Sequence, residues 1–201
     1  PTIQASPATI LQYSKNNSIT VTGSLTSWTS GTPGTPTFTI TGPQGSSIAS
    51  QTVISSTSAT IILNASSTTG TVTITDPSTG ATTTVNIIAD TVPPTVSITA
   101  PSSGATIGGT TNITATASDN VSVSSVQFKI DGTTISTITQ SPYTYSWNTN
   151  TTSDGSHTIT AIATDLAGNS ASTSISVTVS NTLPTIQASP ATILQYSKNN
   201  S

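Results

Sequence analysis

Apolar and polar residues alternate along most of this chain. From Ser18 to Leu25, Ile19, Val21 and Leu25 alternate with Thr20, Thr22 and Ser24. The same period of two runs through TPTFTITG (35–42), SATIILNA (58–65), TGTVTITD (69–76) and ATTTVNII (81–88). Strict alternation is the mark of a strand with one buried face. With TIQAS at 2–6 and the weaker SSIASQTVI at 46–54, the pattern predicts seven strands by residue 90. Asp90-Thr-Val-Pro-Pro94 then breaks it, because proline has no N–H to give a ladder. Seven more strands follow: TVSITA (95–100), TNITATAS (111–118), VQFKID (126–131), TTISTIT (133–139), YTYSWNT (143–149), SHTITAIAT (156–164) and SASTSISVTV (170–179). Asp131-Gly132 marks a tight hairpin between two of them. No stretch holds a helical period over ten residues.

Seven short strands in ~90 residues, with turns every 8–12, predict an immunoglobulin-like sandwich. The expected fold is therefore all-β: two tandem seven-stranded immunoglobulin-like β-sandwiches, at 1–90 and 91–181. A seven-strand barrel is the alternative that the pattern leaves open. Val21, Phe38, Ile74, Ile113, Phe128, Trp147 and Ile159 are the expected core rows.

The eighteen residues PTIQASPATILQYSKNNS open the chain and recur without change from Pro184 to Ser201, an offset of 183. Asn181-Thr-Leu-Pro184 is a second linker, and residues 182–201 then read as that linker and the first strand of a further tandem repeat. Repeat arrays gain length by giving each unit contacts to its neighbours alone. Two domains in a row, each about 35–45 Å long from strand length, give an expected period of roughly 80 Å. Completion of a neighbouring subunit's open sheet by the terminal segment is the other use of such a copy.

Composition narrows the function. Ser and Thr fill about two-fifths of the chain, and only three Lys and six Asp carry charge. Disorder is not expected, since Thr, Val and Ile favour strands. A net charge of −3 and the lack of basic clusters argue against nucleic acid and anionic membrane surfaces. No apolar run approaches the ~20 residues of a membrane span, so no membrane insertion is expected in this segment. The chain has no Cys and one His, and it lacks G-x-S-x-G. Neither a triad nor a zinc site has support, and no enzyme is expected.

Across 92–180, VPPTVSITAPSSGATI, ATASDNVSVSSVQFKIDG, SPYTYSWNT and GSHTITAIATDLAGNSAS resemble, in order, a bacterial immunoglobulin-like domain. The first half is similar in strand pattern and length. The resemblance implies modules strung in series in large bacterial surface or secreted proteins, hence an extracellular or cell-surface location. It implies a spacer, stalk or fibre unit whose partners are copies of itself, with an adhesin segment binding a glycan or protein as the alternative.

Few residues are candidates for chemistry. In such a sandwich the entry to the first strand and the loops after the second and sixth strands share one pole. Asp90, Asp119 and Asp165 fall at those places and form a candidate calcium site at the domain junction, since calcium takes 6–8 oxygen ligands. Asn181 stands in the other linker where this one has Asp90, and the first domain offers Asp76 alone. Asx-turns explain Asp and Asn at strand ends without a metal. Asn16, Asn64, Asn112, Asn120, Asn150 and Asn199 fit the N-glycan pattern. Tyr143, Tyr145 and Trp147 share a face expected in the core, and His157 is expected at the core edge. Trp28, in the loop TSWTSGTPG, is the candidate exposed contact.

Overall fold

The computed structural model describes residues 2–23 and 37–181. Trp28, Asn199 and the whole segment 182–201 lie outside the described residues. Within them the chain forms sixteen strands and one short 3-10 turn, Thr149–Thr151. Among the described residues no helix is long and apolar enough to cross a membrane.

The first unit has β1 (Ile3–Ser6), β2 (Thr9–Leu11), β3 (Asn17–Gly23), β4 (Thr39–Thr41), β5 (Ser47–Ser55), β6 (Ser58–Asn64), β7 (Gly70–Thr75) and β8 (Thr82–Ile88). They form two sheets, β1-β3-β6-β5 and β2-β8-β7-β4. The second unit has β9 (Thr95–Ala100), β10 (Thr106–Ile107), β11 (Thr110–Ser118), β12 (Val123–Ile130), β13 (Thr133–Ile138), β14 (Tyr143–Asn148), β15 (Gly155–Asp165) and β16 (Ser170–Val179). Its sheets are β14-β11-β9 and β10-β16-β15-β12-β13. These are open sheets in pairs, so the barrel alternative is set aside.

Among the described residues each unit shows eight strands where alternation predicts seven. The extra ones are β2 and β10, which run parallel to β8 and β16 on the sheet opposite β1 and β9. Pro7 and Pro101 separate each pair, and proline cannot continue a ladder. The chain therefore leaves one sheet and joins the other. Strands of two or three residues are too short to show a period.

The units also differ in where the fourth long strand goes. In the second unit β13 pairs with β12, because Asp131 (φ 48°) and Gly132 (φ 82°) form a two-residue turn with both φ positive. In the first unit the two-residue turn, Ser56-Thr57, comes one strand later and joins β5 to β6. The position of one tight turn thus decides which sheet gains the strand.

Alternation buries one face of each strand. In β6, Ala59, Ile61 and Leu63 are fully buried between half-buried neighbours. They join Ile19, Val21, Val72, Ile74 and Val85 in the first core. The second core gathers Ile113, Val126, Phe128, Trp147, Ile159 and Val177. Each such aliphatic or aromatic side chain stabilises the fold by about 1.5–3 kcal/mol on burial. All seven expected core residues are buried, as are Tyr143 and Trp147, with Tyr145 packed at the margin. The other faces carry hydroxyls: Thr41, Thr73 and Thr84 stand side by side across three strands, and Thr71 donates to Asn86 Oδ1 (2.9 Å).

Candidate metal centre

Three short segments build one pole of the second unit. Asp90 lies two residues beyond β8, in the linker; Asp119 follows β11; Asp165 closes β15. Each carboxylate caps its own loop. Asp119 Oδ2 accepts from the amides of Val121 (2.8 Å) and Ser122 (2.9 Å). Asp165 Oδ1 accepts from the Asn169 amide (2.8 Å), and Asp90 Oδ1 from the Val92 amide (3.1 Å). Such local bonds are what Asp at a strand end does.

The fold then gathers the three loops. One carboxylate oxygen from each of Asp90, Asp119 and Asp165 lies within 4.8 Å of the others. Asp90 and Asp165 are 6% and 3% exposed. Ionised, three carboxylates at that spacing repel by roughly 3 kcal/mol per pair at an effective dielectric near 20. Two neutral side chains partly offset this. Asn120 Nδ2 donates to Asp90 Oδ1 (3.2 Å), and Asn169 Nδ2 donates to Asp165 Oδ2 (2.8 Å) and to the Asp90 carbonyl (3.0 Å). The amides of Asn120 and Asn169 are the members of this pole that sequence reasoning passed over. Their signal is visible in Asp119-Asn120 and Asp165-Leu-Ala-Gly-Asn169. A set of hard oxygens without sulfur or imidazole suits an oxygen-seeking cation.

The equivalent pole of the first unit is built otherwise. Asp76 is fully buried and accepts from Ser78 N, Ser78 Oγ and Thr79 Oγ1. Asn181 belongs to the far end of the second unit. Its Oδ1 accepts from Gly109 N (3.1 Å) and Thr149 Oγ1 (2.8 Å), and its Nδ2 donates to the Thr149 carbonyl (2.8 Å).

His157 sits where strand parity places it, 9% exposed, with a partner that the sequence did not disclose. Nδ1 is 2.6 Å from Asp131 Oδ2, and Nε2 is 2.9 Å from the Ser153 carbonyl. The Asp131 carboxylate, then the carbonyl, raise the imidazole's affinity for a proton above the ordinary value. The Thr158 amide, then His157, hold Asp131 below the usual carboxylate range. Of the glycan candidates, Asn16, Asn112 and Asn150 are exposed. Asn64 is half-buried and accepts from the Asn16 amide; exposed Asn120 is tied to Asp90. A groove of about 180 Å³ between β9 and β11 is lined by Thr95, Val96, Ser97, Thr116, Ala117 and Ser118, a wall without acid, base or thiol.

Paired open sheets, short first strands that change sheet, and loops clustered at the poles define an immunoglobulin-like β-sandwich protein. Residues 94–161, within the second unit, match the family model of the bacterial Ig domain. No curated protein matches the chain. Among solved structures, the fibronectin(III)-like modules of CbhA from Clostridium thermocellum are 30% identical, over 42% of this chain and 94% of that one, with a TM-score of 0.39. The adhesin InvE of Yersinia pseudotuberculosis is 17% identical over 88% of this chain (TM-score 0.35). A putative membrane anchored protein from Corynebacterium diphtheriae is 15% identical over 95% of it (TM-score 0.35). The chain spans 58% and 55% of the length of those two.

Proposed function

We propose that the chain is a structural segment of an extracellular bacterial protein, a pair of immunoglobulin-like units that holds distance and recurs every 183 residues along a stalk, sheath or filament. The observation that carries this reading is the recurrence of residues 1–18 at 184–201. In the first unit those residues supply β1, β2 and the start of β3, the strands by which the chain enters a sandwich. A second copy behind a Pro-containing linker is the entry to another such unit. Its partners are then copies of itself, met in tandem and, because the outer sheet faces carry hydroxyls and little charge, side by side. The bacterial Ig domain at 94–161 supports an extracellular location.

Electron microscopy of the native material tests the reading. Continuous filaments with an axial period of roughly 80 Å are expected, from ~3.3 Å per strand residue. Discrete stalks bearing a distinct tip would favour an adhesin instead. A small monomer without further repeats would overturn the array.

A further inference from the structure

We propose that the pole formed by Asp90, Asp119 and Asp165 binds one calcium ion, which fastens the inter-unit linker to the second unit. Oxygens around one calcium lie ~2.3–2.6 Å from it, so two on opposite sides stand up to about 5 Å apart. The three carboxylates, each with an oxygen within 4.8 Å of the others, fit within one such shell. A separate observation points to a ligand. Asp119 Oδ1 is sealed from solvent and meets no hydrogen-bond donor, while its partner oxygen serves the loop amides. A buried carboxylate oxygen left without a donor is costly, and a cation is the partner that satisfies it.

Among the described residues none supplies a paired cation here. Among the described residues the ion pair within 4.0 Å is His157–Asp131, which involves none of the three. Calcium suits the pole better than magnesium. Magnesium keeps most of its water and demands a strict octahedron, whereas calcium accepts irregular shells of 6–8 oxygens.

The mechanical consequence follows from where the three residues sit. Asp119 and Asp165 belong to loops of the second unit, and Asp90 to the linker. Hydrogen bonds from Asn120 and Asn169 are the ties that the fold alone provides. An ion shared by all three carboxylates adds a stronger one and neutralises their repulsion. This inference holds whether or not the chain forms filaments.

The test is calorimetric titration of calcium chloride into the full, metal-free chain, with amide NMR spectra recorded alongside. One ion per chain is expected, at least tenfold weaker binding of magnesium chloride, and shifts at Val92, Val121 and Asn169. Asp119→Asn keeps an oxygen for the Val121 and Ser122 amides and should weaken calcium binding at least tenfold. Absence of binding at millimolar calcium overturns the proposal. So does binding that Asp119→Asn leaves unchanged, or shifts confined to the Asp131 and Asp154 end. If Asp119→Asn does not fold, the shift map of the unaltered chain decides.

Discussion

His157 Nδ1 and Asp131 Oδ2 meet at 2.6 Å, joining the first residues of β15 to the turn between β12 and β13. Nε2 faces a carbonyl, so both ring nitrogens point at acceptors and the doubly protonated imidazole satisfies both. His157 binds its proton more tightly in the folded state than the ordinary 6.5. Its contribution is therefore complete below pH 6.5 and is lost as pH rises through the raised folded value. Asp131 is shifted below 3.8, so its share is present above that value and lost as pH falls through the lowered one. The pair should stabilise the second unit most between about pH 4 and 6.5. With one His in the chain, its NMR titration is unambiguous. A midpoint at or below 6.5, or a decline in stability above neutrality that His157→Gln leaves unaltered, would defeat this account.

Phe128 is fully buried and belongs to the second core alone, as every strand pairing of the described residues stays within one unit. Phe128→Ala should cost about 3–5 kcal/mol. If 1–90 and 91–181 are separate cooperative units, hydrogen exchange should quicken in β12 and β15 and stay unchanged in β3 and β6. Equal loss of protection in both halves would show that they melt as one.

The sequence discloses strands well where burial is one-sided, because a period of two then writes the core directly: Ile19 and Val21, or Phe128 and Ile130. It discloses Asp131-Gly132 because that turn needs positive φ at both residues. β2 and β10 escape notice, since a strand of two or three residues has no period to show. At the acidic pole, strand order places Asp90, Asp119 and Asp165 together. It does not reveal Asn169, which reaches back 79 residues to Asp90. The His157–Asp131 contact is likewise a matter of register: Ile130 pairs with Ile159, and this brings the Asp131 turn to the start of β15.

Gly23 ends β3 where β1 crosses it. A Cβ there would stand 2.7 Å from the Thr2 carbonyl oxygen and 2.8 Å from Ile3 Cγ2. Backbone cannot yield as a flexible side chain would, so Gly23→Ala should push β1 off the sheet edge. A loss of about 1–3 kcal/mol is expected, as for other overpacked sites. Protection should fall first at the β1–β3 pairing. Gly80→Ala is the contrast: nothing lies within 4 Å of its Cβ, and only its φ of +72° opposes the change. It should cost less and leave β1 protected.

Asn181 and Asp90 both follow the last strand of a unit, yet they are not interchangeable. Asn181 needs both ends of its carboxamide: the oxygen takes Gly109 N and the Thr149 hydroxyl, while Nδ2 gives to the Thr149 carbonyl. Thr149 is fully buried. Its own amide donates to the Gly109 carbonyl, so the 3-10 turn and the end of β16 close on one another through this residue. An aspartate would keep the acceptor but turn a carboxylate oxygen toward a carbonyl oxygen at 2.8 Å, replacing attraction with repulsion. Asn181→Asp should destabilise the second unit by about 1–3 kcal/mol, the cost of a buried polar group left unpaired. Asn181→Ala should cost a similar amount by leaving Gly109 N without its partner. Chemical denaturation of the full chain, followed by Trp147 emission with Trp28→Phe as background, measures both. An Asn181→Asp chain as stable as the parent would mean that the carboxamide merely fills space.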